Sequence, residues 1–181
     1  MRNSPTQYGS LARFLHWAIA ILIVVTIPCG VVMVRLGSGT AQNVLYVTHE
    51  SIGLTILALA VLRLAWRLLD PPPPLPASMP PGQALLARLN HRLLYLLLFL
   101  MPASGYLFVI AGGYPMNYFK LFDIPRLVDK NEALSKLAET THLGLQFAVY
   151  ALVLGHVAAA LHHHLVKHDG VLRRMWPALG R

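Results

Sequence analysis

Acidic residues are scarce, cysteine is nearly absent, and charge of either sign is thin. The 181 residues hold seven Asp and Glu, one cysteine and 12% charged residues in all. A soluble domain carries about 25% charged residues, so this composition, 56% hydrophobic, excludes an ordinary soluble fold. The lone Cys29 excludes an internal disulfide, a cysteine-ligated metal and an iron–sulfur centre. It reads instead as a small residue buried among apolar neighbours. Carboxylates within the apolar runs are too few to serve as a hard-cation site. The net charge of +8 is not gathered into a soluble basic stripe, which excludes nucleic acid as a partner.

What the sequence has in abundance is long apolar runs. Four occur, at about Leu11–Val34, Val44–Leu69, Leu85–Ala111 and Glu139–Val166. Crossing a bilayer takes roughly 20 mostly apolar residues as a helix, and helices satisfy their own backbone in lipid where an open sheet cannot. The fold expected is all-α: an integral membrane four-helix bundle forming one domain over residues 1–181. The first run is too long for a signal peptide, carries His16 and Trp17 near its start and precedes no clear cleavage site, so it reads as a retained helix.

Basic residues divide unevenly between the two sides. The N-terminal segment, second loop and C-terminal tail, with the adjoining helix ends, hold Arg2, Arg13, Arg63, Arg67, Arg88, Arg92, Lys167, Arg173, Arg174 and Arg181 against only Asp70 and Asp169. The opposite side holds Arg35, Lys120, Arg126, Lys130 and Lys136, balanced by Glu50, Asp123, Asp129, Glu132 and Glu139. The positive-inside rule puts both termini in the cytoplasm of a bacterial inner membrane, with the other face periplasmic. The prolines from Pro71 to Pro81 read as a stiff connector, and Tyr114, Tyr118 and Phe119 as interfacial anchors in the longest loop. The short loops leave any chemistry to the bundle itself.

Nine histidines carry that chemistry. Ionisable residues inside a membrane are costly and mark function by default. His142 and His156 lie on one helix, separated by about 21 Å of rise and within about 40° of the same face. That separation is too great for one metal ion, but each histidine can supply an axial ligand to its own haem. Depth pairs His142 with His49 on the periplasmic side and His156 with His16 on the cytoplasmic side, giving two b-type haems between the helices. His91, near the start of the third helix, competes with His16 for the inner position. Gly53, Gly155 and Ala158–Ala160 supply thin places beside these histidines, as a macrocycle or ordinary helix packing would need. Of the His162–His164 run, His163 shares the face of His156 about 10 Å further on. There it suits a haem propionate, a proton-delivering quinone site, or a cluster reaching to the interface.

The segments L-H-W from Leu15, T-H-E-S-I-G from Thr48, L-R-L-A-W-R-L-L-D-P-P from Leu62, N-H-R-L-L-Y-L-L-L from Asn90, T-H-L-G from Thr141 and G-H-V-A-A-A-L-H-H-H from Gly155 resemble the bacterial cytochrome b561 family. Within it they look most similar to the small branch containing superoxide oxidase, which passes electrons from superoxide to ubiquinone. The resemblance covers nearly the whole chain. It implies His16 and His156 as ligands of the cytoplasmic haem, His49 and His142 as ligands of the periplasmic one, and His163 as a quinone contact. It also implies two haem b, ubiquinone as acceptor, superoxide as donor and no separate catalytic side chain. A second reading is a membrane-anchor cytochrome b subunit relaying electrons between a partner dehydrogenase or hydrogenase and the quinone pool. One departure from the family is the connector P-P-P-P-L-P-A-S-M-P-P, which lacks the family's lysines.

Overall fold

The computed structural model describes residues 2–176; Arg181, assigned above to the basic side, lies outside them. Four helices run through it: α1 (Ser10–Met33), α2 (Thr40–Leu69), α3 (Pro81–Ala111) and α4 (Glu132–His162). All four are long and apolar enough to cross a membrane. Each begins earlier than its apolar run, by seven residues in α4, because hydropathy marks the lipid-buried stretch rather than the helix. Polar chemistry starts α4: the Asn131 side chain accepts a hydrogen bond from the Leu134 N–H at 2.9 Å, a cap that stabilises a helix by about 1 kcal/mol. Glu132 and the exposed Lys136–Glu139 pair (2.7 Å) occupy its first turns. In α3, Pro81 takes the first helical position, where its missing N–H costs nothing.

Direct packing joins α1 to α2, α2 to α3 and α3 to α4. Ile19, Ile52 and Ile56 form one buried cluster, with Leu98 of α3 against it. Val109, Ile110 and Met116 form another under the α3–α4 loop. Large apolar side chains such as Phe14, Val61, Leu68, Phe147 and Leu154 point outward. In water such a surface would aggregate; in lipid it is the solvated face.

The first and last described segments meet the 70–80 connector at one end of the bundle, here the termini face. Asn3 fastens it, its N–H donating to the Asp70 carboxylate at 2.8 Å and its amide to the Asp70 carbonyl at 2.9 Å. The opposite end, the hairpin face, carries the α3–α4 connection with its strands β1 (Asn117–Tyr118) and β2 (Phe122–Asp123), paired Asn117↔Asp123 and Tyr118↔Phe122. The turn between them holds Phe119 (φ 48°) and Lys120 (φ 60°) in the left-handed region, which costs non-glycine residues about 1–2 kcal/mol each. Fully buried Ser51 offsets that strain: its hydroxyl accepts from the Phe119 N–H at 2.7 Å and donates toward the α2 carbonyl of Val47 at 2.6 Å. The Tyr118 hydroxyl meets Thr55 at 3.0 Å, so this aromatic is seated on α2 rather than free at the interface.

Candidate functional site

Four of the histidines meet in two pairs, one near each face. Toward the hairpin face, His49 of α2 and His142 of α4 have ring centroids 6.2 Å apart and ring planes 80° apart. Toward the termini face, His16 of α1 and His156 of α4 are 6.1 Å and 73° apart. A metal–imidazole bond of about 2.0 Å, plus roughly 1.1 Å from nitrogen to ring centre, separates two trans ligand centroids by about 6.2 Å. Both pairs have that spacing. His91 approaches His156 more closely, at 5.3 Å, short of that spacing. Its Nδ1 lies 2.6 Å from the Ala87 carbonyl of its own helix.

Among the described residues no three His, Cys, Asp or Glu side chains converge on a point. A bare zinc ion needs about four protein ligands, which these pairs do not provide. A haem iron brings four nitrogens of its own and asks only for two axial ligands. The donor set therefore fits haem, and so does the space: a cavity of 1640 Å³ runs past all four histidines, beyond the roughly 300–1,000 Å³ of a single-ligand pocket.

The hairpin-face pair is held by matching contacts from the two neighbouring helices. His49 Nδ1 lies 3.1 Å from the Thr26 carbonyl of α1, and His142 Nδ1 lies 2.9 Å from the Met101 carbonyl of α3. A carbonyl only accepts, so each Nδ1 carries the proton and each Nε2 keeps its lone pair for a metal. The hydroxyls of Thr26 (3.1 Å) and Ser104 (3.2 Å) approach the same nitrogens. One helical turn beyond each carbonyl stands a glycine pressed on the ring. A Cβ at Gly30 would lie 2.8 Å from His49 Cε1, and one at Gly105 would lie 3.0 Å from His142 Cε1.

The glycines named from sequence behave otherwise. A Cβ at Gly53 or Gly155 would meet no other atom within 4 Å, although both residues line the cavity with Ala158, Ala159 and Ala160. Sequence reading missed Thr26, Gly30, Met101, Ser104 and Gly105. The available signal was the four-residue step from Thr26 to Gly30, repeated from Met101 to Gly105.

At the termini face α4 loosens into a π-helical turn, His163–Lys167, and reverses at His168 in the left-handed conformation. His163 lines the cavity, and its Nδ1 hydrogen-bonds the Asp169 carboxylate. The chain then crosses α1: Trp17 Nε1 donates to the Met175 carbonyl at 3.2 Å, and its ring meets Trp176 at 4.9 Å. Arg174 reaches the Pro74 carbonyl at 2.6 Å. His162 and His164 line the same mouth of the cavity.

Partial burial works to raise the Asp169 carboxyl, but hydrogen bonds from His163 and the Val171 N–H outweigh it, with help from Lys167, and hold it below its ordinary 3.8. A depressed carboxyl stabilises the folded arrangement above its unfolded pKa and ceases to do so as pH falls through the lowered value. A change in Trp17–Trp176 fluorescence is therefore expected as pH falls through the lowered Asp169 value, below about pH 4. An Asp169→Asn protein should lose that acid step; an unchanged step would remove Asp169 from the docking of this segment.

A family model described as prokaryotic cytochrome b561 matches residues 7–178. Cytochrome b561 homolog 2 of Escherichia coli (strain K12) is 37% identical, over 96% of this chain and 93% of that protein. The probable superoxide oxidase CybB of Yersinia pestis is 28% identical, over 94% of this chain and 96% of its own length. Cytochrome b562 of Cereibacter sphaeroides is 30% identical, over 93% and 94%.

Proposed function

Because the chain belongs to the prokaryotic cytochrome b561 family, whose members bind haem b and carry electrons in membranes, we propose that it is a dihaem cytochrome that oxidises superoxide and reduces ubiquinone. The observation that carries the reading is the equal spacing of the two histidine pairs, 6.2 and 6.1 Å. His49 and His142 hold the haem near the hairpin face; His16 and His156 hold the one near the termini face. Bound there, the two haems supply one-electron carriers at two depths. Held by two imidazoles each, such haems would favour electron transfer over oxygen binding.

The chain's own residues do the rest. Thr26 and Met101 fix the imidazole tautomer at the hairpin face, and Gly30 and Gly105 let the rings seat against α1 and α3. At the termini face His163, partnered by Asp169, stands where a quinone headgroup would take up protons. The charge asymmetry makes the termini face cytoplasmic in a bacterial inner membrane. Two superoxide anions give up one electron each and leave as dioxygen; one ubiquinone takes both electrons with two protons and leaves as ubiquinol. The relationship to a probable superoxide oxidase supports superoxide as the donor.

Stopped-flow mixing of the oxidised full-length protein with superoxide tests the donor. The Soret and α bands should shift to the reduced form within the mixing reaction. Bands that stay oxidised under superoxide, yet reduce when a partner dehydrogenase or hydrogenase is supplied, would replace this reading with that of an electron-relay subunit.

A further inference from the structure

The bundle is one helical pair built twice. Leu11-Ala12-Arg13 and His16 on α1 return as Leu86-Ala87-Arg88 and His91 on α3. The same shift aligns Thr26 with Met101 and Gly30 with Gly105, the carbonyls and glycines that receive the hairpin-face histidines. On the second helix of each pair, Thr48-His49 aligns with Thr141-His142. Each of these threonines bonds back to the carbonyl four residues earlier, Val44 at 2.7 Å and Leu137 at 2.8 Å. At the hairpin face the two copies therefore agree, and His49 and His142 are equivalent.

At the termini face they do not. His16 aligns with His91, but His156 aligns with Arg63, each lying fourteen residues beyond the outer histidine of its helix. One copy thus carries a fixed cation where the other carries an axial ligand. Arg63 lines the cavity, donates from Nη1 to the Ala12 carbonyl at 2.8 Å and lies 5.9 Å from the Tyr95 ring. It lines the same cavity as His16, His91 and His156. The ion pairs among the described residues involve Lys130, Lys136 and His163, so none neutralises Arg63. Arg67, one turn on, adds a second guanidinium 5.3 Å from Tyr95. Toward the hairpin face the arginine that lines the cavity is Arg35, just past the end of α1 and outside the repeat position of Arg63.

We propose that Arg63 makes the termini-face site the better electron acceptor of the two. The inference rests on the assignment of His16 and His156 as a haem ligand pair. Arginine keeps its proton in any protein environment, and an adjacent positive charge favours the reduced iron, which carries one positive charge fewer. The sign is the same if the guanidinium bonds a propionate of that haem, because losing it still removes one positive charge from the site. The broken repeat thereby gives direction to electron flow, from the symmetric hairpin-face pair toward the asymmetric termini-face pair.

Spectroelectrochemical titration of the full-length protein in nanodiscs reads this directly. In Arg63→Gln one midpoint should fall by at least the equivalent of a tenfold change in the reduced-to-oxidised ratio, about 59 mV for one electron, while the other stays put. Arg63→Lys should recover most of the fall. Unmoved midpoints in Arg63→Gln with both haems bound would overturn the proposal. Should Arg63→Gln fail to retain its haem, Arg63→Lys and Arg63→Met decide it: equal midpoints in these two would equally overturn it. His156→Leu keeps the two claims apart. If that protein retains both haems, the ligand assignment has failed; if it loses one while Arg63→Gln leaves the midpoints unmoved, only the role of Arg63 has.

Discussion

A His16→Leu protein should purify with about one haem per chain instead of about two, whereas His91→Leu should keep both. The two histidines occupy equivalent positions in the repeated helical pair, so sequence spacing and depth favour His16 only narrowly. The ring spacing points the same way. His16 stands 6.1 Å from His156, matching the 6.2 Å of the hairpin-face pair, while His91 stands at 5.3 Å. Leucine fills the space of the imidazole without a lone pair, so the bundle should persist and only the haem be lost. Quinone reduction should fall to background in His16→Leu and remain near the parent rate in His91→Leu. The reverse pattern, one haem in His91→Leu and two in His16→Leu, would exchange their roles.

The second large effect is expected from a single methyl group. In Gly30→Ala the new Cβ would sit 2.8 Å from His49 Cε1 and 3.1 Å from Nδ1, closer than carbon atoms tolerate. The ring cannot swing aside cheaply, because its Nδ1 is bonded to the Thr26 carbonyl of the same helix. Either that bond or the metal bond must give. Outer contacts of this kind are worth about 10–100-fold in metal affinity, so the hairpin-face haem should transfer to a haem-scavenging protein about 10–100-fold faster than in the parent. Gly105→Ala should act in the same direction but less strongly, since its closest approach to His142 is 3.0 Å. Gly144→Ala, where a Cβ meets nothing within 4 Å and no cavity wall is disturbed, should behave as the parent. Equal haem-transfer rates in Gly30→Ala and Gly144→Ala would remove the glycine from the site.

Much of this was legible in the amino-acid sequence because lipid imposes simple rules. Four apolar runs mean four helices, and the fourteen-residue step from His142 to His156 puts two groups on one face at two depths. The helix starts were not legible, since polar turns such as Asn131–Lys136 lie outside the hydrocarbon and leave no hydropathic trace. Gly30 and Gly105 were also hidden. Glycine is common in membrane helices for packing alone, and only the observed neighbour shows which glycine faces a histidine. Gly53 and Gly155, adjacent in sequence to the same histidines, were the wrong ones for that contact. Arg63 counted in the sequence as one more basic residue near a membrane face, because nothing local reveals that it stands where the other half of the bundle has His156.

The measurement that bears most directly on the whole account is a reduced-minus-oxidised spectrum with haem-to-protein stoichiometry on the purified full-length chain. If both histidine pairs ligate haem, the spectrum should show about two haem b per chain, both low-spin and both bis-imidazole. One haem per chain, or two of which either shows an open axial position, would contradict it.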